Sequence, residues 1–437
     1  MEFTLNKDKP LTNDLLRKIL ELSKSDSARY DNLHNYYVGK QAITRRTMND
    51  STKPNNKIVH PFGNYITDTL TGYFLGEPVT YVCNDKELLQ KLTLLLKAND
   101  SAAEDAELAR DASIYGVAYE LFYIDEAGAV RFKKVKPQEV ILIYDDTVAK
   151  NVLYGIRLIK NTDLITNKIT YSIEVYGADS INYYEANDTL TTLKFTGEEP
   201  NFFGAVPIIE FKNNEDRLGD FETIISLIDA YDKLDSDNLN DYEAFVDSYM
   251  VLKGVVADAD DVKTMKENRV LLLDNDADAR WLTKNENGEI TENLKARLEN
   301  DIHKFAKCPN LSDENFSSNA SGIAIKFKLY GTETLVSTKE REFTRALQKR
   351  LQLILQYMAL RGEAAADYLS IDIQFTRNVP TNDTEIAETV EKLAGIVSRQ
   401  TLLAQLPFIN DVAAEVEKLE KENEEQPFYN LESELGA

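Results

Sequence analysis

Residues 218–247 read LGDFETIISLIDAYDKLDSDNLNDYEAFVD. Apolar side chains recur at Phe221, Ile224, Ile225, Leu227, Ile228, Tyr231, Leu234, Leu239, Tyr242, Phe245 and Val246, the spacing of one helical face. The other face carries Asp220, Glu222, Asp229, Asp232, Asp235, Asp237, Asp241, Glu243 and Asp247, with Lys233 as its only base. About 30 residues make a helix roughly 45 Å long. A charged run is usually a solvated helix face. Here length and charge both exceed what an ordinary globular helix needs.

Its surroundings give the helix a partner. A second helix of mixed charge is expected at 291–307, capped by Thr291 and stopped before Pro309. Between the two lies a compact insert, 248–289. Strands are expected at Tyr249–Val256, Arg269–Asp274 and Arg280–Thr283, around a helix at Asp260–Glu267. Two helices leading out to a small module and back form a stalk. Helices of this length are marginal alone, so the stalk is expected to pack against copies of itself.

After the second helix comes Pro-Asn-Leu-Ser-Asp-Glu-Asn-Phe-Ser-Ser-Asn-Ala-Ser-Gly, residues 309–322, half of it Ser or Asn. A long polar loop inside an ordered region is commonly functional. Ile323–Arg361 then reads as one long helix, or a pair broken near Gly331. It carries Lys326, Lys328, Lys339, Arg341, Arg345, Lys349, Arg350 and Arg361 against Glu333, Glu340 and Glu342. That basic surplus is expected to meet acidic neighbours across a subunit interface.

Outward from this centre the chain is α+β. Helices are expected at 11–37 (N-cap Thr12 or Asn13), 58–76, 85–98 and 101–114, with a locally basic loop at 38–57. Strands follow at Val117–Ile124, Ala129–Val135, Val140–Tyr144, Val152–Ile159, Ile169–Tyr176, Ser180–Glu185, Leu190–Phe195 and Pro207–Lys212. Leu369–Phe375 alternates as a strand, and 381–425 is helical and acidic.

Composition removes several function classes. The chain has 437 residues, 50 Lys+Arg against 74 Asp+Glu and a formal charge of −24. That balance argues against a broad nucleic-acid-gripping surface and against docking on anionic lipid. Two cysteines, Cys83 and Cys308, cannot build a disulfide framework or a four-cysteine zinc site. Residues 1–8 lack the apolar core of a secretory signal, and nothing reads as a membrane span. A cytoplasmic, reducing setting is expected. His34, His60 and His303 are scattered and read as packing or surface residues. Neither a Gly-x-Ser-x-Gly elbow nor a phosphate loop is present: Gly39-Lys40 is followed by Gln41. Asp274, Asp276 and Asp278 start like a calcium loop, but Ala279 replaces the sixth-position Gly and Asn285 the bidentate Glu. The expectation is therefore no catalytic residue, no metal and no cofactor.

Several strings, in this order, resemble the portal family of long-tailed phages infecting Gram-positive bacteria. They are Tyr36-Tyr37-Val38-Gly39-Lys40, Asn55-Asn56-Lys57-Ile58-Val59-His60-Pro61-Phe62, Thr71-Gly72-Tyr73-Phe74-Leu75-Gly76-Glu77-Pro78-Val79, Asn214-Glu215 and Ser321-Gly322-Ile323-Ala324-Ile325-Lys326. The resemblance implies a ring-shaped homo-oligomer, usually of twelve copies, at one capsid vertex. Double-stranded DNA would pass through its axis during packaging and ejection. The large terminase subunit, a head–tail connector or adaptor, and the major capsid and scaffold proteins would be its partners. It would reside in the virion after assembly in the host cytoplasm, without a membrane. The implied portal-type fold has a helical and β wing (1–217), a first stem helix (218–247), a small α/β clip (248–289) and a second stem helix (290–308). A tunnel loop (309–322), a long helix with a wing return strand (323–380) and a helical crown with C-terminal tail (381–437) complete it. The channel residues would be Asn310, Leu311, Ser312, Asp313, Glu314, Asn315, Phe316, Ser317, Ser318 and Asn319. The acidic stem would be Asp229, Asp232, Asp235, Asp237, Asp241, Glu243 and Asp247. Acidic and neutral polar walls suit a conduit, because a Lys/Arg lining would hold the phosphates. Two other readings stand beside it: a metal-dependent soluble enzyme using Asp274, Asp276 and Asp278, and another head–tail adaptor of the virion.

Overall fold

The computed structural model describes residues 2–50, 53–246, 250–253, 278–281, 288–311, 322–363, 366–378, 383–404 and 412–425, with isolated positions between them. The chain divides into two compact units: 1–318 with 327–377, and 319–326 with 378–437.

The first unit is built on two sheets. Strand β1 (Phe3–Leu5) pairs in parallel with β5 (Val140–Asp145). Antiparallel strands β6 (Val152–Thr162), β7 (Ile169–Tyr176), β8 (Ser180–Asn187) and β9 (Leu193–Pro200) extend the sheet in sequence order. Helix α1 (Asn13–Leu22) lays Leu16, Ile19 and Leu20 on this sheet against Ile143, Ile156 and Ile173. Thr12 caps it by accepting the Leu15 N–H at 3.3 Å, as read from the sequence. The expected helix 11–37 is in fact two, because Ser23 separates α1 from α2 (Lys24–Tyr37).

The second sheet orders β10 (Ile208–Lys212), β3 (Val117–Ile124) and β4 (Val130–Val135). Asp125 shapes the β3–β4 turn by accepting the Ala127 and Ala129 N–H groups, and Gly128 supplies φ +75°. Helices α3 (Phe62–Leu75), α4 (Lys86–Ala98) and α5 (Ser101–Tyr115) pack around it. A third pairing joins β2 (Thr80–Val82) to β13 (Asp372–Gln374). The strand expected at 369–375 is this shorter one, since Tyr368–Ser370 forms a 3-10 turn. The strand expected at 190–195 starts at Leu193, after Leu190 adopts φ +61° and Asn187 accepts the Thr191 and Thr192 N–H groups.

The acidic helix is shorter than its sequence suggests. A 3-10 turn at Glu222–Ile224 leads into α6 (Ile225–Val246), about 33 Å long. Residues 217–220 instead cross the α5–β3 junction. A Cβ on Gly219 would lie 2.4 Å from the Ile114 carbonyl oxygen, and one on Gly116 (φ +84°) 2.0 Å from that of Arg217, so both positions require glycine. Asp220 is buried at this crossing. It accepts from Ser113 and Asn213 and pairs with Lys339.

Strand β11 (Met250–Lys253) pairs with β12 (Asp278–Trp281), matching the first and third strands expected in the insert. The strand expected at 269–274 lies outside the described residues, as do Asp274 and Asp276. Helix α7 (Gly288–Ala306) begins before Thr291, which is thus inside the helix and not its cap. Helix α8 (Gly322–Leu360) is unbroken at Gly331, where a Cβ would meet only open space. In the second unit, α9 (Asp383–Leu393), α10 (Arg399–Leu403) and α11 (Val412–Glu425) are helical as expected, with Ser398 capping α10.

Part of the basic surplus of α8 is paired inside the chain. Lys339 pairs with Asp220 and Arg345 with Glu342. Arg350 has no exposed surface; its Nη2 lies 2.7 Å from both Glu120 Oε1 and Asp105 Oδ1, and its guanidinium faces Phe132 and Phe211. Two carboxylates thus share one guanidinium in the core. Burial pushes both upward, Glu120 to about 7.

Replacing Arg350 with Met is expected to cost about 3–5 kcal/mol in urea unfolding, because it leaves two buried carboxylates unpaired. Glu120 also gives a sign to the pH dependence. Between its ordinary value of 4.5 and about 7, the folded chain holds a proton the unfolded chain has lost. Its contribution to stability is therefore largest on the acid side and falls as pH rises through that window. In Glu120→Gln that part of the pH–stability curve is expected to flatten.

Candidate functional site

Helices α6 and α7 run antiparallel. Phe221, Ile224 and Ile228 at the base of α6 share a core with Ile302 and Ala306 at the end of α7. Farther out, Lys295 Nζ lies 2.9 Å from Asp235 Oδ1 and over the Tyr231 ring.

The acidic face of α6 is occupied by the chain's own Arg46 and residues 56–60, which form a strap along it. The main-chain N–H groups of Asn56, Ile58 and His60 donate to Asn240 Oδ1 (2.8 Å), Ser236 Oγ (2.9 Å) and Asp232 Oδ1 (2.8 Å). Arg46 Nη1 donates to Asp237 at 2.6 Å, Asn56 Nδ2 to Glu243 at 2.8 Å and the Tyr36 hydroxyl to Asp229 at 2.7 Å. The His60 ring stands between Asp232 (3.0 Å) and Asp235 (3.2 Å). Contacts at 229, 232, 236, 240 and 243 follow one helical face. Asp232 is fully buried, and burial pushes its carboxyl up against the opposing effect of the His60 N–H groups.

Of the seven stem carboxylates singled out in the sequence, Asp229, Asp232, Asp235, Asp237 and Glu243 thus hold intrachain partners. Asp241 is exposed and also engaged, and Asp247 lies outside the described residues. Sequence reasoning missed this strap of Arg46 and residues 56–60. Its signal was the basic loop 38–57 opposite the acidic run, with oxygen acceptors every four residues at 232, 236 and 240.

The loop after α7 is fixed at its start. Lys307 adopts φ +53° and the Cys308 N–H returns to the His303 carbonyl at 3.1 Å, ending the helix. Tyr65 on α3 then clasps the chain: its hydroxyl donates to the Pro309 carbonyl at 3.0 Å and accepts the Leu311 N–H at 2.8 Å. Asn310 Nδ2 donates to Glu299 at 3.0 Å. Thr332 on α8 donates to the Lys307 carbonyl at 2.7 Å, so the helix beyond the loop grips its near end. Ser312, Asp313, Glu314, Asn315, Phe316, Ser317, Ser318 and Asn319 lie outside the described residues. Buried Cys308 has its thiol pushed up to about 12, which leaves it protonated and unreactive. The three histidines pack structurally: His34 meets the Tyr115 hydroxyl at 3.1 Å, and His303 the Cys308 carbonyl at 3.1 Å.

Asn240→Leu should remove the acceptor for Asn56 while keeping the helix. Hydrogen exchange at the Asn56 and Ile58 amides is expected to speed up at least tenfold, with the amides of β3 unchanged.

The sequence matches the family described as "Phage portal protein, SPP1 Gp6-like" over residues 16–427. A portal protein of Bacillus phage SPP1 is 27% identical over 398 residues, covering 85% of this chain and 77% of that one. A portal protein of Clostridium phage phiCD119 is 26% identical over 444 residues, covering 92% and 95%. Among solved structures, the neck of an empty GTA particle aligns with 80% of this chain and 90% of its own at 14% identity, with a TM-score of 0.43. The chain belongs to the SPP1 Gp6-like family of phage portal proteins.

Proposed function

We propose that this chain assembles into a ring, of twelve copies on the family's pattern, at one vertex of a phage capsid. The ring is the channel for double-stranded DNA in packaging and ejection. It is also the platform for the packaging motor (the large terminase subunit) and for the head–tail connector, set among the major capsid and scaffold proteins. It works in the virion and has no catalysis of its own. On this reading 1–217 is the wing, 218–247 and 290–308 the stem helices, 248–289 the clip, 309–322 the tunnel loop, 323–380 the long helix with its return strand, and 381–437 the crown.

The observation that carries the reading is the mounting of the loop. An antiparallel helix pair, strapped along one face, delivers the chain to residue 309. Tyr65 and Thr332 then hold the loop's near end from two different helices. The loop that follows is polar, with Asp313 and Glu314 as its only charges. A polar segment on a stiff mount can touch DNA without ion-pairing to its phosphates, so passage meets no deep binding well. The alternative of a divalent-metal enzyme rests on Asp274, Asp276 and Asp278 alone, and the family membership does not favour it.

Negative-stain images of the purified chain are expected to show rings with a central hole, and native mass a multiple near twelve. A stable monomer at micromolar concentration would sink the proposal. Deleting residues 312–319 is expected to leave the ring intact while lowering DNA packaged per particle at least tenfold in an in vitro packaging assay.

A further inference from the structure

One side chain of the strap makes contacts that need a particular number of protons. His60 Nδ1 lies 3.0 Å from Asp232 Oδ1, and its Nε2 lies 3.2 Å from Asp235 Oδ2. The His60 main-chain N–H also donates to Asp232 Oδ1 at 2.8 Å. A neutral imidazole carries a single N–H, and its other nitrogen carries a lone pair. With both carboxylates ionised, a neutral ring sets that lone pair against one of them. One further proton among the three groups, on the ring or on a carboxyl oxygen, removes the conflict.

The surroundings favour that proton. On α6, Asp229 adds a third carboxylate that acts on Asp232, and the Tyr36 hydroxyl of α2 donates to it. From α7, Lys295 pairs with Asp235. Glu299 and Glu292 of the same helix act on Tyr231, whose ring packs edge-on to His60 with centroids 4.6 Å apart. Helix α3 brings only the uncharged Phe62 ring. Gln41 donates to the His60 carbonyl, and Arg46 is taken by Asp237. Three carboxylates, Asp229, Asp232 and Asp235, thus stand around the ring against the single ammonium of Lys295. Crowded like charges favour proton uptake. Asp232 has no exposed surface, and burial pushes its carboxyl in the same direction.

We propose that this seam is a proton-held latch: the His60–Asp232–Asp235 cluster keeps one shared proton while residues 56–60 lie along α6, and loses it as pH rises, which loosens the strap from the distal half of the helix. The strapped state binds a proton that the released state gives up. Attachment is therefore strongest on the acid side and weakens as pH rises. The latch acts on the helix pair that delivers the chain to residue 309. It is a property of the single chain and does not depend on the ring reading.

Hydrogen exchange of the purified protein, corrected for the intrinsic effect of pH on exchange, tests it. Between about pH 6 and about pH 8, protection of the Asn56 and Ile58 amides is expected to fall at least about fivefold, with the β3 amides unchanged. Two variants are expected to abolish the fall. His60→Gln removes the ring. Asp235→Asn offers an amide N–H to the ring nitrogen that lacks a proton, so a neutral ring fits. In each, protection is expected to differ by less than about twofold between the two pH values. Equal protection of the wild-type strap at both pH values overturns the latch, and so does a full fall in either variant. A parallel fall at β3 reports loosening of the whole body and overturns it as well.

Discussion

An extended chain advances about 3.3 Å per residue and an α-helix about 1.5 Å, so two strand residues span nearly the same length as four helical ones. Residues 56–60 and 232–240 use that near-identity. Every second N–H of the strap, at Asn56, Ile58 and His60, meets an oxygen on every fourth residue of α6, at Asn240, Ser236 and Asp232. An exposed helix edge offers an extended chain no main-chain partners of its own, since its N–H and C=O groups are used internally. Short side chains carrying oxygen must therefore stand in for a neighbouring strand. Three such residues in register let a loop without secondary structure lie flat along a helix with its buried N–H groups satisfied. The distal half of α6 owes much of its attachment to this pairing, because its apolar anchor on the shared core ends near Tyr231.

The base of that assembly is fixed by different chemistry. At the crossing of residues 217–220 over the α5–β3 junction, Gly116 and Gly219 allow two backbones to approach where any side chain would collide. Asp220 then draws Ser113, Asn213 and Lys339 onto one carboxylate, and so joins α5, the turn after β10 and α8 at the point where α6 departs. Further along α8, Arg350 closes on Asp105 and Glu120. Both locks tie the helix that follows the polar loop to the body that supports the helix pair before it. Buried charged networks of this kind are costly to break and specify one arrangement.

Most elements were legible because each had a local signal. Thr12 reads as a cap and is one; Asp125 to Gly128 read as a hairpin turn and form one. The failures share a cause, which is that distant residues decided them. Residues 218–221 continue the helical apolar pattern, yet Gly219 is held in a crossing whose partner lies a hundred residues earlier. Gly331 has helical geometry because nothing around it rewards a break. The acidic face of α6 looked solvated because its partners sit some 180 residues upstream in a segment without periodicity. The partners of Arg350 were hidden for the same reason: Glu120 and Asp105 belong to elements that only the fold brings beside it.

These pairings also move the charge argument. A formal charge of −24 first reads as a uniformly acidic surface that avoids phosphate. Yet Asp229, Asp232, Asp235, Asp237 and Glu243 on α6 are all bonded within the chain, and Asp232 is fully buried. A carboxylate holding a hydrogen-bond donor still carries charge, but paired with Arg46 or Lys295 it projects little field beyond a Debye length of about 8 Å in physiological salt. On the proposed reading, repulsion of DNA by these residues is therefore weaker than the sequence count implies. What keeps a conduit from holding DNA, on the proposed reading, is the lack of clustered cations where the chain reaches inward, and the loop with its two acids and no base meets that condition by itself. The acidic residues of α6 serve first to bind the strap.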